Sequence, residues 1–370
     1  MLNQRLESLR REMQAQQIDC LALVPGYNLR YLSGIEFMLF ERSFLTFLPA
    51  DPAVTPVLVI PELEASTWQE AAPFDARLFP WKDEHGPEEA MRQAAQALAP
   101  LRTLAVEHLR MRVVEYELVH QAMPQARVVK GEEILDRLRM RKDAAEIALL
   151  QAAVRIAEQA LEEIVSAPLV GRTEREICNR LTAALLAGGG ETVPVEPLVL
   201  SGPRSAMPHG RTGSRRVAAG DLLLFDFVTT LGGYHSDITR TFVVGRAPDR
   251  RQREVYAAVQ AANRAGRAAV RPGAACQEVD RAARRALVEA GLGDYFLHRT
   301  GHGLGLDVHE APSIVEGNEM PLEQGMVFSV EPGAYLEGWG GTRIEDDVLV
   351  AGDGCESLTT FGRDLRVIAG

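Results

Sequence analysis

Cysteine is scarce in this chain. Cys20, Cys178, Cys276 and Cys355 are scattered through 370 residues, and none has CxxC spacing. That argues against a disulfide framework or a cysteine zinc site and fits reduced thiols in a cytoplasmic protein. Also missing is any run approaching the roughly 18 apolar residues needed to span a bilayer. The start of the chain is charged and amphipathic, with Leu2, Leu6, Leu9 and Met13 on one helical face. It contains no apolar h-region, so no secretory leader is expected. There is no cluster of lysine and arginine with interleaved aromatics, and the net charge is −11. Nucleic acid is therefore a poor partner, and so is an anionic membrane.

What is present is an ordinary globular balance, 46% apolar and 25% charged residues, in a length that suggests two domains. A helix near 2–16 leads to the buried run Cys20-Leu21-Ala22-Leu23-Val24. Further strands are expected at Phe44–Leu48, Val57–Ile60 and Thr103–Val106, with a helix over Glu88–Leu98 between them. This alternation predicts an α/β domain over residues 1–130 and a second domain over 131–370. Asp143-Ala144-Ala145-Glu146 reads as a capping box that opens a helix through Val165, and Thr173-Glu174-Arg175-Glu176 opens another. Helices near 250–270 and 277–290 follow. Two helices and then a hairpin occur twice, which implies an internal pseudo-repeat.

The most informative residues are Asp226, Asp237, His302, Glu331 and Glu345. Asp226 follows Leu222-Leu223-Leu224-Phe225, and Asp237 precedes Ile238-Thr239-Arg240-Thr241-Phe242. Between them lies the turn signal Leu231-Gly232-Gly233. A hairpin folded at the midpoint, between Leu231 and Gly232, would set the aspartates directly across from each other, with Cβ atoms about 5 Å apart. Glu331 and Glu345 have Gly338 as their midpoint and repeat the pattern. One such pair could lie on a solvated face. Two pairs beside apolar strands need neutralisation, partners or a cation. Four carboxylates and an imidazole suit two small divalent ions, Mn(II) first, with Co(II) or Zn(II) as less specific fits.

The other histidines carry weaker signals. His85, His108 and His120 have no ligand-like neighbours, and His298 is given no role. His235 shares strand parity with Asp237 and stays ambiguous. His209 lies in the loop Ser201-Gly202-Pro203-Arg204-Ser205-Ala206-Met207-Pro208-His209-Gly210. His302 and His309 lie in Gly301-His302-Gly303-Leu304-Gly305-Leu306-Asp307-Val308-His309-Glu310, where flanking glycines permit close backbone approach. The stretch lacks the strand–loop–helix context and lysine of a phosphate loop.

These stretches, with SVEPGAY and TRIED, make the chain resemble the pita-bread metallopeptidases: methionine aminopeptidase, aminopeptidase P, prolidase and creatinase. The motifs cover roughly residues 130–370, and the two-domain length resembles the proline-specific branch. The resemblance implies an α/β N-terminal domain and an α+β pita-bread catalytic domain with a pseudo-twofold repeat. It implies Asp226, Asp237, His302, Glu331 and Glu345 as ligands to two metal ions. His209 and His309 match histidines that contact substrate and steady the tetrahedral intermediate. Tyr335 and Arg343 match residues near the site, and Arg343 shares its strand face with Glu345. Three positions depart from relatives: Val228 replaces a common glycine, Arg204 a common asparagine, and Ser313 an arginine that meets a dipeptide carboxylate in several prolidases.

The implied chemistry is metal-assisted amide hydrolysis of a small peptide, with Glu331 taking the water proton. Two readings of substrate length stand: an Xaa-Pro dipeptidase, which is preferred, and an aminopeptidase P acting on longer Xaa-Pro peptides. A metal-dependent lyase or hydrolase of a small non-peptide is the remoter alternative. The five intact ligands argue against a creatinase-type reaction and against an inactive binding module. Arg42, in the apolar stretch Phe37–Phe44, is a candidate clamp for the dipeptide carboxylate; a local pair with Glu41 or a contact across a homodimer is the competing expectation.

Overall fold

The computed structural model describes residues 2–98 and 100–369, and the chain divides into Met1–Arg139 and Met140–Gly370. The first unit runs α1 (Leu2–Ala15), β1 (Cys20–Leu23), α2 (Tyr27–Ser33), β2 (Leu45–Pro49), β3 (Val57–Pro61), α3 (Glu62–Ala71), β4 (Arg77–Trp81), α4 (Glu88–Leu98), β5 (Thr103–Val106), α5 (Val113–Ala122), β6 (Arg127–Lys130) and α6 (Glu132–Met140). Its six-stranded mixed sheet has the order β4-β3-β2-β1-β5-β6. Helices cover both faces, so the central strands are buried throughout. Strand parity sorts the side chains. Val57 and Val59 pack with Met91, Ala94 and Val119, whereas Leu58 and Ile60 pack with Leu29, Phe44 and Trp68. The division falls after Arg139 rather than at 130/131, because α6 follows β6 and belongs to the first unit.

The second unit opens with α7 (Ala144–Val165) and α8 (Glu174–Ala187). Asp143 accepts from the Ala145 and Glu146 N–H groups, and Thr173 Oγ1 accepts from Glu176 N–H, as their capping boxes require. Strand β7 (Leu198–Ser201) and a 3-10 turn over Gly202–Ala206 precede the first long hairpin, β8 (Leu222–Leu231) and β9 (Tyr234–Val244). Helices α9 (Arg250–Ala269) and α10 (Cys276–Glu289) follow. Strands β10 (Gly301–Gly303), β11 (Glu310–Ile314), β12 (Val327–Val330), β13 (Gly333–Leu336), β14 (Gly340–Arg343), β15 (Asp346–Ala351), β16 (Gly354–Ser357) and β17 (Val367–Ile368) complete the chain. Sheets β17-β9-β8-β7, β11-β10-β12-β15-β16 and β13-β14 result.

Both halves contain a long hairpin. In the second, β12 and β13 run out, β14 and β15 return, and one register holds from Val327↔Leu349 to Leu336↔Gly340. Continuing that register sets Glu331 opposite Glu345, as the midpoint at Gly338 predicted. The first hairpin differs from expectation. Leu231 pairs with Tyr234 and the turn consists of Gly232 and Gly233, both with positive φ. A two-residue turn of this kind needs φ > 0 at both central positions, so it takes the glycine pair and not Leu231. Asp226 therefore faces Thr239 and Asp237 faces Val228, so the aspartates are diagonal neighbours on one face. Leu223, Phe225, Phe227, Ile238 and Phe242 point the other way, into the core beneath α7 and α8.

Parity in β15 separates Asp346 from its acidic neighbours. Fully buried Asp346 meets Arg240 Nη2 at 2.8 Å, Arg363 Nε at 2.7 Å and Arg267 Nε at 3.4 Å. Burial opposes its ionisation, but Arg240 and Arg363 hold its pKa below the ordinary value. Asp346→Ala would leave buried Arg240, and the partly exposed Arg267 and Arg363, without their anion, and the unfolding free energy is expected to fall by roughly 3–5 kcal/mol in urea titrations. A change below about 1 kcal/mol would mean the network behaves as a solvated surface cluster.

Candidate metal centre

Asp226, Asp237, His302, Glu331 and Glu345 line one cavity of about 410 Å³ in the second unit, together with His209, His309 and Arg343. Hydrogen bonds tie the two hairpins together there. Glu345 N–H donates to the Thr239 carbonyl at 3.1 Å, and Thr239 Oγ1 donates to Glu345 Oε2 at 2.6 Å. Asp237 N–H donates to Asp347 Oδ2 at 3.0 Å. Glu331 N–H donates to the Thr300 carbonyl at 2.8 Å, which brings the histidine strand alongside. A Cβ at Gly301 would collide with the Ser329 carbonyl, and one at Gly303 with the Ala311 carbonyl. These two glycines let β10 sit close enough to deliver His302.

Ligand atoms of Asp237, His302 and Glu345 all lie within 4.8 Å of one another. His302 Nδ1 is 3.1 Å from the Gly303 carbonyl, which fixes the proton on that nitrogen. Its Nε2 lone pair then faces Glu331 Oε1 at 3.4 Å and Asp237 Oδ2 at 3.8 Å. Burial holds the His302 pKa down to about 3, with His309 adding to the effect, so the ring is neutral. A lone pair facing carboxylates is repulsive unless a cation stands between them. Asp237 Oδ1 is buried and has no hydrogen-bond partner. Burial and then Glu345 push Asp237 well above the carboxylate range, and burial and then Glu331 do the same to Glu345. Burial raises Glu331 to about 7 against the pull of Arg343. An orphaned carboxylate oxygen, an unprotonated imidazole nitrogen and massed carboxylates lack the same thing, positive charge, and a divalent cation fits them.

Asp226 is placed differently from the tight trio. Its Oδ2 accepts from Arg343 Nη2, while Arg343 Nε donates to Thr239 Oγ1 at 3.1 Å and Nη1 to the Tyr335 hydroxyl at 2.6 Å. His298 Nε2 lies 2.8 Å from that hydroxyl. His298 therefore belongs to the network around the site, although the sequence reading gave it no role. The signal was Tyr335, since a buried tyrosine hydroxyl needs a partner. Burial and then Arg343 depress the His298 pKa to about 4.

The His309 ring lies 4.1 Å from that of His302, edge to face, and opens on the cavity. Burial and then Arg299 hold its pKa below the ordinary value. His209 reaches the cavity from the loop after β7. Buried Glu174 pins that loop: it accepts from Ser201 N–H at 2.9 Å, Gly213 N–H at 3.0 Å and Arg204 Nε at 3.0 Å. The departure at Arg204 thus has a structural role beneath His209. Val228 lines the cavity, and Ser313 pairs across the ladder with His302. Arg299, which the sequence reading passed over, also lines the cavity. His235 is turned to the Gly305 carbonyl, with Nδ1 at 2.9 Å. Arg42 belongs to the first unit, where Nε and Nη2 grip Asp83 at 2.8 and 2.6 Å and Nη1 meets Glu41 at 2.6 Å. The carboxylate partner its apolar surroundings call for is thus present within the unit.

Comparison with known proteins gives two family matches. Residues 148–351 match metallopeptidase family M24, and residues 5–141 match the creatinase/prolidase N-terminal domain. The chain is 38% identical to a probable dipeptidase, PepE, of Mycobacterium tuberculosis, over 94% of this chain and 92% of that one. It is 33% identical to the Xaa-Pro dipeptidase of Pyrococcus furiosus, over 98% and 100% of the two chains. The crystal structure of a prolidase from Thermococcus sibiricus superposes with a TM-score of 0.94 at 31% identity, covering 100% of this chain and 99% of that one.

Proposed function

The chain belongs to metallopeptidase family M24, and from that premise we propose that it is an Xaa-Pro dipeptidase holding two divalent cations between Asp226, Asp237, His302, Glu331 and Glu345. The observation that carries the proposal is the set of four carboxylates and one neutral imidazole on the wall of a single peptide-sized cavity. The dipeptidase and prolidase relatives support the choice of substrate. Four oxygen ligands and one nitrogen favour Mn(II) over softer ions.

Bound there, the cations would supply Lewis acidity and an activated water. The protein's own groups have separate tasks. Glu331, braced by Ser329 Oγ at 3.4 Å, accepts the proton of the attacking water. His309 and His209 face the scissile bond from the open side, where one steadies the developing oxyanion and the other protonates the leaving proline nitrogen. Tyr335 and Thr239 hold Arg343, which in turn orients Asp226. The substrate's free amino group lies against the acidic wall. A homodimer in a reducing cytoplasm completes the proposal; the four unpaired thiols agree with that setting, and sedimentation checks the dimer.

The test is a panel of Xaa-Pro dipeptides, Xaa-Pro tripeptides and non-proline dipeptides, each assayed with and without Mn(II). Mn(II)-dependent cleavage of the Xaa-Pro dipeptides first is the expected result. Preference for tripeptides would make the enzyme an aminopeptidase P, and indifference to proline would remove the Xaa-Pro assignment.

A further inference from the structure

We propose that Arg299 reads substrate length by binding the C-terminal carboxylate of the dipeptide. The assignment rests on the Xaa-Pro reading above and names a specificity-determining residue within it. Two arginines line the cavity, Arg299 and Arg343. Arg343 is committed, since its three side-chain nitrogens are held by Thr239, Tyr335 and Asp226. Arg299 is half-buried, and its guanidinium has one partner among the described residues, the neutral Ser313 hydroxyl, which accepts from Nη1 at 3.2 Å. No carboxylate of the described residues pairs with it. A guanidinium offers five N–H donors in a planar fork, so one bond to a hydroxyl leaves most of that capacity unused.

Its place in the fold gives that unused capacity a direction. Arg299 lies three positions before His302, and Ser313 stands directly across the ladder from His302. Ser313 therefore tethers the arginine beside the strand pair that delivers the imidazole to the metal centre. Ser313 cannot bind a carboxylate by charge, but it can fix one corner of the guanidinium that does. Charge around the cavity points the same way. The other ionisable groups on the acidic wall attract the peptide's amino end, and rim residue Glu196 is already paired with Arg175. Arg299 is left as the uncommitted cation for the opposite end. An Xaa-Pro dipeptide brings a carboxylate to the residue after the scissile bond. A tripeptide or a C-terminal amide brings a neutral group there and forfeits a charge-assisted, bidentate contact.

The experiment compares Ala-Pro with Ala-Pro amide on Mn(II)-loaded wild type, Arg299→Met, Arg299→Lys and Ser313→Ala, with metal content measured for each. Wild type is expected to prefer the acid at least 10-fold. Arg299→Met should raise KM for the acid by about 10–100-fold and bring the acid-to-amide preference towards one, since hydrogen bonds to charged groups contribute on that scale. Arg299→Lys should restore part of the preference, and Ser313→Ala should lose a severalfold share of it by loosening the tether. If Arg299→Met folds poorly, the lysine and Ser313 variants still carry the test. Wild-type indifference to acid or amide overturns the assignment. So does an equal slowing of both substrates in every variant, which would make Arg299 structural. Wild type that cleaves neither substrate overturns the underlying Xaa-Pro reading, and the Arg299 assignment falls with it.

Discussion

Exhaustive chelation is expected to abolish peptide hydrolysis, and added Mn(II) to restore it. The loss should be total because the acidic wall has no substitute for the cation. Arg343 is spent on Asp226, and no other positive group reaches Asp237 or Glu345 by ion pair among the described residues. Full activity in a preparation shown to be metal-free would sink the dinuclear reading. The chelated protein should also show an unusual stability profile. Burial raises Glu331 from an ordinary 4.5 to about 7, and Asp237 and Glu345 also lie well above their usual range. A raised carboxyl pKa means the native state binds more protons than the unfolded chain between the two values. Those carboxyls withdraw stability from the metal-free protein as pH rises from about 4.5 to about 7. The depressed histidines His298, His302 and His309 add stability up to about 6.5, so the net fall is expected above about pH 6.5. Cation binding needs those carboxylates ionised, so metal should stabilise most above that window. Denaturant titrations at about pH 6.5 and about pH 8, with and without Mn(II), check both slopes. A metal-free protein more stable at pH 8 than at pH 6.5 would contradict the burial of these carboxyls.

Much of this centre was legible in the sequence because parity and turn chemistry act locally. Alternation alone puts Asp226, Asp237 and Thr239 on one face of the first hairpin and Phe225 and Ile238 on the other. The Gly338 midpoint gave the register of the second hairpin across both of its segments. The first hairpin was misjudged by a shift in the turn, since symmetry about the aspartates ignored which residues can take positive φ. The Asp143 and Thr173 caps were readable for the same local reason. What was not legible came from long-range packing. The contacts His298 to Tyr335 and Arg299 to Ser313 join residues 37 and 14 positions apart, across strands with no shared local pattern. Glu174 beneath the His209 loop is hidden in the same way. It reads as an exposed first-turn helix residue yet is fully buried and accepts from Ser201, Arg204 and Gly213. Arg42 was legible as a charge in need of a partner, but Asp83, 41 residues away, could not be named from the sequence.

His309→Ala is expected to lower kcat by about 100-fold or more while leaving bound metal near the wild-type level. The magnitude is typical of losing one donor that acts only in the transition state. Geometry separates His309 from the ligands. Asp237, His302 and Glu345 converge on a common point, while His309 stands edge-on to His302 with ring centroids 4.1 Å apart and opens on the cavity. Burial and the nearby Arg299 hold its pKa below the ordinary histidine value, so at neutral pH the ring is uncharged and offers one N–H. An uncharged donor does not repel a neighbouring cation, and it can strengthen its hydrogen bond as negative charge grows on the carbonyl oxygen. Its removal should therefore spare KM and metal content more than kcat. The flank of His302 would be opened, so metal affinity could drop severalfold, and assays at saturating Mn(II) remove that contribution. Metal analysis of the purified variant then decides the assignment. Near-stoichiometric metal with a slow enzyme places His309 on the transition state, whereas a variant that cannot hold its cations at saturating Mn(II) makes His309 a ligand.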